Sequence, residues 1–299
     1  MRVDKKPPVA NGCGRNIWLP VGNRSRGIAF PHTSLGSLLE NIVGLLHYLN
    51  RKDALTVHGE IAVDNFTMQD PDLAFFSLIR AACLRKQVND ILDYGAGRNY
   101  YTQDFKPEVA SYLIRELRDL RVGGARVTAV DVSEAVLTNP TSDMQLQIVP
   151  NAPLPFDDNS FDMVVSDFVF EHLENPGHIT AELLRVVRPG GWIFIRTPNK
   201  WGYVAWIASL VPNNLHQRVL KFIQPYRKDL DVFPVYYRIN TQRAVRSFFN
   251  GCDVTVISDN WEPQYFYGRL WLYRINRFIN NLLPKRLGVT SIYLVKTPE

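Results

Sequence analysis

The sequence predicts an α/β fold built on a parallel sheet, and three observations carry that prediction. Short apolar strands alternate with amphipathic helices through the middle of the chain. Acids close three of those strands, at Asp93, Asp131 and Asp167. A tight glycine turn, Gly95-Ala96-Gly97, follows the first strand and leads into a helix. In open sheets of this kind ligands bind beyond the carboxyl ends of the strands, so the three acids converge on the expected site.

Core strands are expected at 88–93, 127–131, 146–149, 161–166 and 192–196, with later ones at 254–258 and 292–295. Core helices are expected near 104–121, 133–138 and 178–188. The first of these places Phe105, Val109, Tyr112, Leu113, Leu117 and Leu120 on one face. Pro189-Gly190-Gly191 is expected to stop the third before the fifth strand. Two helices precede the sheet, at 33–49 and 72–86, each with an apolar stripe at helical spacing. From these positions they can cover the ligand opening.

The glycine turn separates two ligand classes. A dinucleotide site needs a third glycine three residues after the second and an acid roughly 20 residues on. Here the third position is Tyr100, and Asp131 lies 34 residues beyond Gly97. A strand-end carboxylate still suits a ribose, because it accepts two hydroxyl hydrogen bonds. The combination points to a nucleoside with a small polar tail.

Five stretches then fall in a recognisable order. They are Asp93-Tyr94-Gly95-Ala96-Gly97, the acid Asp131, Leu154–Asp162 with Met163–Ser166, Glu171–Pro176, and Leu183–Gly191. Together, over about residues 88–198, they resemble the class I S-adenosylmethionine-dependent methyltransferases, type 11 branch. The resemblance implies a Rossmann-like seven-stranded sheet in the order 3-2-1-4-5-7-6. It also implies helical and aromatic insertions over the active face. S-adenosylmethionine is the implied cofactor. Asp93, Gly95, Ala96 and Gly97 would hold its methionine end and Asp131 its ribose. Val132, Asn151 and Ala152 would lie along the adenine, and Asp167 and Phe168 would line the transfer chamber. Two departures stand out. Asn99 replaces the family's third glycine, although asparagine tolerates a left-handed turn. Asn151 stands where an acid is often found.

A hydroxyl acceptor needs a base for its proton, and His172 is the best-placed candidate; the alternative is that Glu171-His172 anchors the next helix. His216 is a weaker candidate. His32, His47 and His58 read as structural or solvated. No His and carboxylate cluster has metal-ligand spacing, so no catalytic metal is expected.

The remaining length divides as an N-terminal arm and cap helices (1–87), the cofactor core (88–198), a substrate-side insertion (199–252), and the last two strands with an inserted amphipathic helix (253–299). With 299 residues and 46% of them apolar, the chain can build one large core with lobes. Charge is unevenly spread. Residues 89–195 hold sixteen acids and eight basic residues, a net of −8, so the flanks carry +13 of the total +5. The basic flanks are either solvated surface or meet an anionic substrate or membrane. Aromatic and basic residues between Lys200 and Tyr237 suit a sugar or glycosylated, lipid-linked small molecule. A quinone-like ring is the second possibility, and a non-catalytic binding protein the third. No nucleic acid is expected, since no recognition motif appears. Three well-separated cysteines and no apolar leader favour a cytoplasmic location. The Arg269–Leu283 helix either lies weakly on the membrane's inner face or packs on its own domain. Oligomeric state is not legible.

Overall fold

The computed structural model describes residues 64, 68–99, 111–202, 233–258, 261 and 270–299. Seven strands form one sheet: β1 (Asp90–Tyr94), β2 (Arg126–Asp131), β3 (Met144–Gln147), β4 (Phe161–Asp167), β5 (Val187–Pro198), β6 (Asp253–Ser258) and β7 (Thr290–Lys296). Their order is β3-β2-β1-β4-β5-β7-β6, as the motif order implied. The first five are parallel, and β7 lies antiparallel between β5 and β6. The carboxyl ends of β1, β2, β4, β5 and β6 therefore share one rim, where β7 begins.

Alternation along each strand feeds two cores. Leu92, Val130, Val164, Ile193, Ile195 and Tyr293 face one side. Ile91, Val127, Met163, Val165, Phe194 and Ile292 face the other. A strand buried on both faces is what makes these segments nearly all apolar. Helices α1 (Pro71–Arg85) and α2 (Tyr112–Arg118) cover the second side. Helices α3 (Pro176–Val186) and α4 (Gln242–Phe248) cover the first. Each side chain fully buried this way contributes about 1.5–3 kcal/mol. The helix α5 (Leu270–Leu282) stands between β6 and β7.

Local caps explain the helix starts. Asp70 caps α1, accepting from Asp72 N, with Pro71 at the first turn. Ser111, Asn175 and Thr241 cap α2, α3 and α4 in the same way.

Several expectations shift. The expected helix at 133–138 is a short 3-10 turn over Glu134–Thr138. Pro189-Gly190-Gly191 does not end a helix but lies inside β5, since α3 already stops at Val186. The reason is close packing: a Cβ built on Gly191 would lie 2.6 Å from a Val187 methyl and 2.9 Å from the Asp162 carbonyl, beside a register shift in the β4–β5 ladder. The strand passes there only because residue 191 is glycine. The helix α4 was not anticipated. The helix expected over 33–49, residues 100–110 at the start of the 104–121 helix, and most of the aromatic stretch 203–232 lie outside the described residues, as do His32, His47, His58 and His216.

Candidate functional site

The turn after β1 has the geometry its glycines foretold. Gly95 and Gly97 sit at φ +78° and +52°, a region that strains any residue with a Cβ. A Cβ on Gly95 would also lie 2.2 Å from a Val169 methyl, whereas one on Gly97 would meet nothing within 4 Å. Gly95 N and Ala96 N both donate to the Val130 carbonyl at 2.8 and 3.1 Å, which ties the turn to β2. Asn99 takes a left-handed φ of +50°, so the departure at the third glycine position keeps the turn.

The turn is braced from behind by residues the sequence reading missed. Asn139 donates to the Gly97 carbonyl at 3.1 Å, and Asn99 donates to the Thr141 hydroxyl at 2.7 Å. Asn139, Thr141 and Ser142 are all buried. The polar run Asn139-Pro140-Thr141-Ser142 was the available signal, but it reads as an ordinary loop.

Asp131 closes β2 and is buried. Its carboxylate accepts from Gly97 N at 2.9 Å and from Ser133 N at 2.7 Å. Each oxygen takes one backbone proton in this way and keeps acceptor capacity for a hydroxyl. Val132 follows directly. The chain beyond β3 runs beside it, with Ile148 N donating to the Asp131 carbonyl at 2.9 Å and Gln147 reaching the Val132 carbonyl. That segment ends in a turn where Asn151 is exposed at φ +58° and Ala152 N bonds back to Val149. Val132, Asn151 and Ala152 thus border one corner, beyond β2 and β3.

Asp93 and Asp167 end the neighbouring strands, with Asp93 paired to Val165 and to Ala129 across the ladders. Desolvation first, then the Asp167 and Asp131 charges, push the Asp93 carboxyl up to about 7; Arg118 opposes them. The three carboxyls therefore stand close enough on one rim for their charges to interact. Burial and the Asp131 charge likewise push the Tyr94 hydroxyl up to about 12.

Asp167 belongs to a second unforeseen feature. Arg196 of β5 is fully buried and holds Asp167 bidentately, Nε to Oδ1 at 2.6 Å and Nη2 to Oδ2 at 2.7 Å. The same guanidinium bonds Asp72 at the start of α1, which also pairs with Arg118 at 3.2 Å. Rings of Phe75, Phe76 and Phe168 lie 5.0, 5.6 and 4.8 Å from the Arg196 guanidinium carbon. Burial alone would raise Asp72, but Arg118 and Arg196 hold its carboxyl well below the usual range. Phe168 N donates to the Arg196 carbonyl at 2.8 Å, and Phe168 is held at φ +56° with its ring exposed. An aromatic residue in that conformation is uncommon and is fixed here by both contacts.

His172 ends a 3-10 turn over Phe170–His172 that leaves β4. Its Nδ1 lies 2.7 Å from the Pro234 carbonyl, which only accepts, so Nδ1 carries the proton. Glu171 Oε1 is 3.9 Å from Nε2, and the Phe233 ring stands edge-on to the imidazole. Tyr236 N donates to the Glu171 carbonyl at 2.8 Å, so residues 233–237 clamp this turn. Glu171 itself is buried and accepts from Thr197 at 2.9 Å. Glu171-His172 is therefore an anchor as well as a candidate base.

Residues 92–195 match a family model described as a methyltransferase domain, of type 11. Over those residues the sequence is similar to the type 11 methyltransferase family. Over 157 residues the chain is 29% identical to a probable S-adenosylmethionine-dependent methyltransferase of Mycolicibacterium smegmatis, covering 49% of this chain and 53% of the relative. A demethylmenaquinone methyltransferase of Clavibacter sepedonicus is 39% identical over 107 residues, covering 31% of this chain and 44% of the relative. A ubiquinone biosynthesis O-methyltransferase of Hydrogenovibrio crunogenus is 28% identical, covering 37% and 52%. The chain spans about half the length of these curated relatives. Among solved structures, a putative methyltransferase in complex with the Haloferax volcanii Trm112 activator aligns with a TM-score of 0.44 and 19% identity, covering 83% of this chain and 97% of that one.

S-adenosylmethionine is the cofactor of the methyltransferase family, and the residues present fit it. The Asp93 and Asp131 carboxyls give this rim hydrogen-bond acceptors for a ligand carrying an ammonium and ribose hydroxyls. Asp131 keeps acceptor capacity for ribose hydroxyls, and the Cβ position of Gly97 is open.

Proposed function

We propose that this protein transfers a methyl group from S-adenosylmethionine to an oxygen of a small-molecule acceptor. The convergence of the glycine turn with Asp93, Asp131 and Asp167 on one rim of a type 11 methyltransferase domain carries the reading. When bound, the cofactor supplies an electrophilic methyl on sulfur. Asp131 would accept the ribose hydroxyls, Asp93 to Gly97 would take the methionine end, and Val132, Asn151 and Ala152 the adenine. The Asp167 carboxylate is committed to Arg196, so it braces the chamber and is not a free base. Phe168 presents its ring as a wall. His172 receives the acceptor's hydroxyl proton on Nε2, because its Nδ1 proton is held by Pro234. Positioning and water exclusion supply the rest of the rate.

For the acceptor, we take residues 199–252 as the substrate side and a sugar or glycosylated, lipid-linked molecule as the first reading. Its support is the aromatic and basic composition of that stretch. A quinone-like ring is the second reading. It is supported by two relatives, a demethylmenaquinone methyltransferase and a ubiquinone biosynthesis O-methyltransferase, and by the exposed Phe168 ring. We place the reaction in the cytoplasm. Incubation with methyl-labelled cofactor and fractionated extracts tests the reading. Label is expected in a small molecule and is lost with His172→Gln while cofactor still binds. Cofactor binding without turnover on any fraction leaves a binding protein, and label in tRNA or protein overturns the acceptor class.

A further inference from the structure

The helix α5 is amphipathic in the reverse sense for a surface helix. Among its described side chains Tyr273 and Asn280, seven residues apart, are the buried ones, and Asn280 donates to the Trp261 carbonyl at 3.1 Å. Trp261 in turn donates to the Thr290 carbonyl at 3.3 Å, so the helix is docked at the start of β7. The opposite face carries Trp271, Ile275, Phe278, Ile279 and Leu282, all at helical spacing from one another. They are exposed, with Trp271 at 58%, Phe278 at 65% and Leu282 at 68%. A helix stabilised only by its own domain turns its apolar stripe inward. This one turns the stripe out, and among its described side chains a tyrosine and an asparagine face inward.

Charge says what the stripe meets. From residue 263 to residue 298 the sequence has no Asp or Glu, while Arg274, Lys285 and Arg286 stand exposed beside the stripe. Asn199 ties the Arg286 and Gly288 carbonyls to the end of β5 at 2.8 and 2.9 Å, so the basic turn after α5 is held at the same rim. Trp201, two residues on, is 60% exposed there. A second copy of the chain would bring the same cations against these, which opposes a two-fold contact. An anionic lipid surface satisfies both features at once, taking apolar side chains below the headgroups and cations at the phosphates.

We propose that α5 lies in the interface of an anionic bilayer, with its outward stripe among the acyl chains and Arg274 and Arg286 at lipid phosphates. Because β7 begins where β1, β2, β4 and β5 end, this orientation turns the strand-end rim toward the membrane. An acceptor with an apolar tail is then presented from the bilayer. The attachment goes beyond the reading of the reaction and does not rest on it. Among the described residues no helix is long and apolar enough to cross the membrane, so the contact is superficial.

Co-sedimentation of the full chain with vesicles tests it, with no turnover needed. The protein is expected to pellet with vesicles of phosphatidylglycerol and phosphatidylcholine, and to be released by added salt. The triple variant Trp271→Ser, Phe278→Ser and Leu282→Ser is expected to weaken binding by about tenfold or more. The pair Arg274→Glu and Arg286→Glu is expected to weaken it by about tenfold. All five side chains are exposed, so thermal midpoints should match the wild type. Failure to pellet, equal pelleting with phosphatidylcholine alone, or undiminished binding by the triple variant overturns the proposal. A concentration-dependent dimer that the triple variant abolishes, without vesicle binding, assigns the face to a second copy and also overturns it.

Discussion

Asp131 and Asp167 close neighbouring parts of the same sheet, yet they are held in opposite ways. Asp131 is held by backbone, through the N–H groups of Gly97 and Ser133. Asp167 is held by a buried arginine that also grips Asp72, with three aromatic rings around it. Amide protons steady a carboxylate without neutralising it and leave it available to a ligand's hydroxyls. A bidentate guanidinium neutralises the carboxylate and occupies its best lone pairs. So the β2 end serves the ligand, and the β4–β5 end serves the architecture that positions Phe168 and α1.

The largest test of that contrast removes Arg196. Arg196→Met would leave Asp72 and Asp167 partly buried without their main partner, and such a loss costs about 3–5 kcal/mol. Urea unfolding is expected to show a drop of that order. Lysine at 196 should restore little, because an ammonium lacks the planar fork. A drop below about 1 kcal/mol in the methionine variant would mean that the network is ornamental.

Asp93 sharpens the comparison through pH. Its folded carboxyl keeps its proton to about pH 7, while the unfolded one releases it near pH ~4. The folded state therefore binds the extra proton in that window. The stability this group contributes is complete below about pH 4 and is lost as pH rises through about 7. Asp93→Asn should remove that fall, changing the slope of stability against pH by at most about 1.4 kcal/mol per unit. Parallel profiles for the two proteins would show that the three carboxylates do not share one field.

A smaller effect separates the two glycines. Gly97→Ala meets open space and carries only the left-handed strain of roughly 1 kcal/mol. Gly95→Ala adds a collision with Val169, so its melting point should fall further, and Val169→Ala should recover part of that loss. Equal melting points for the two alanine variants would contradict the packing described at the turn.

What was legible in the sequence is what local chemistry writes there. Short apolar runs marked the strands, the glycines marked the turn, and Asn99 kept its left-handed conformation as its side chain allows. The strand order followed from the motif resemblance. The Arg196 network was not legible because Asp72 and Arg196 lie 124 residues apart, and an arginine inside a strand carries no mark of its partners. The bracing by Asn139 and Thr141 was hidden for a similar reason, 42 residues from the groups they hold. The short helix α4 spans two turns and depends on its Thr241 cap and on Val245 and Phe249 entering the core. For α5 the periodicity was visible but its direction was not, since that is set by the docking of Tyr273 and Asn280.

The most direct measurement is isothermal titration of S-adenosylmethionine into the wild type and into Asp131→Ala. The wild type should bind one equivalent. The variant should bind about tenfold to a hundredfold more weakly, the equivalent of one or two lost charge-assisted hydrogen bonds. Its urea unfolding should change less than that of Arg196→Met. No binding by the wild type, or undiminished affinity in Asp131→Ala, would contradict the assignment of this rim as the cofactor site.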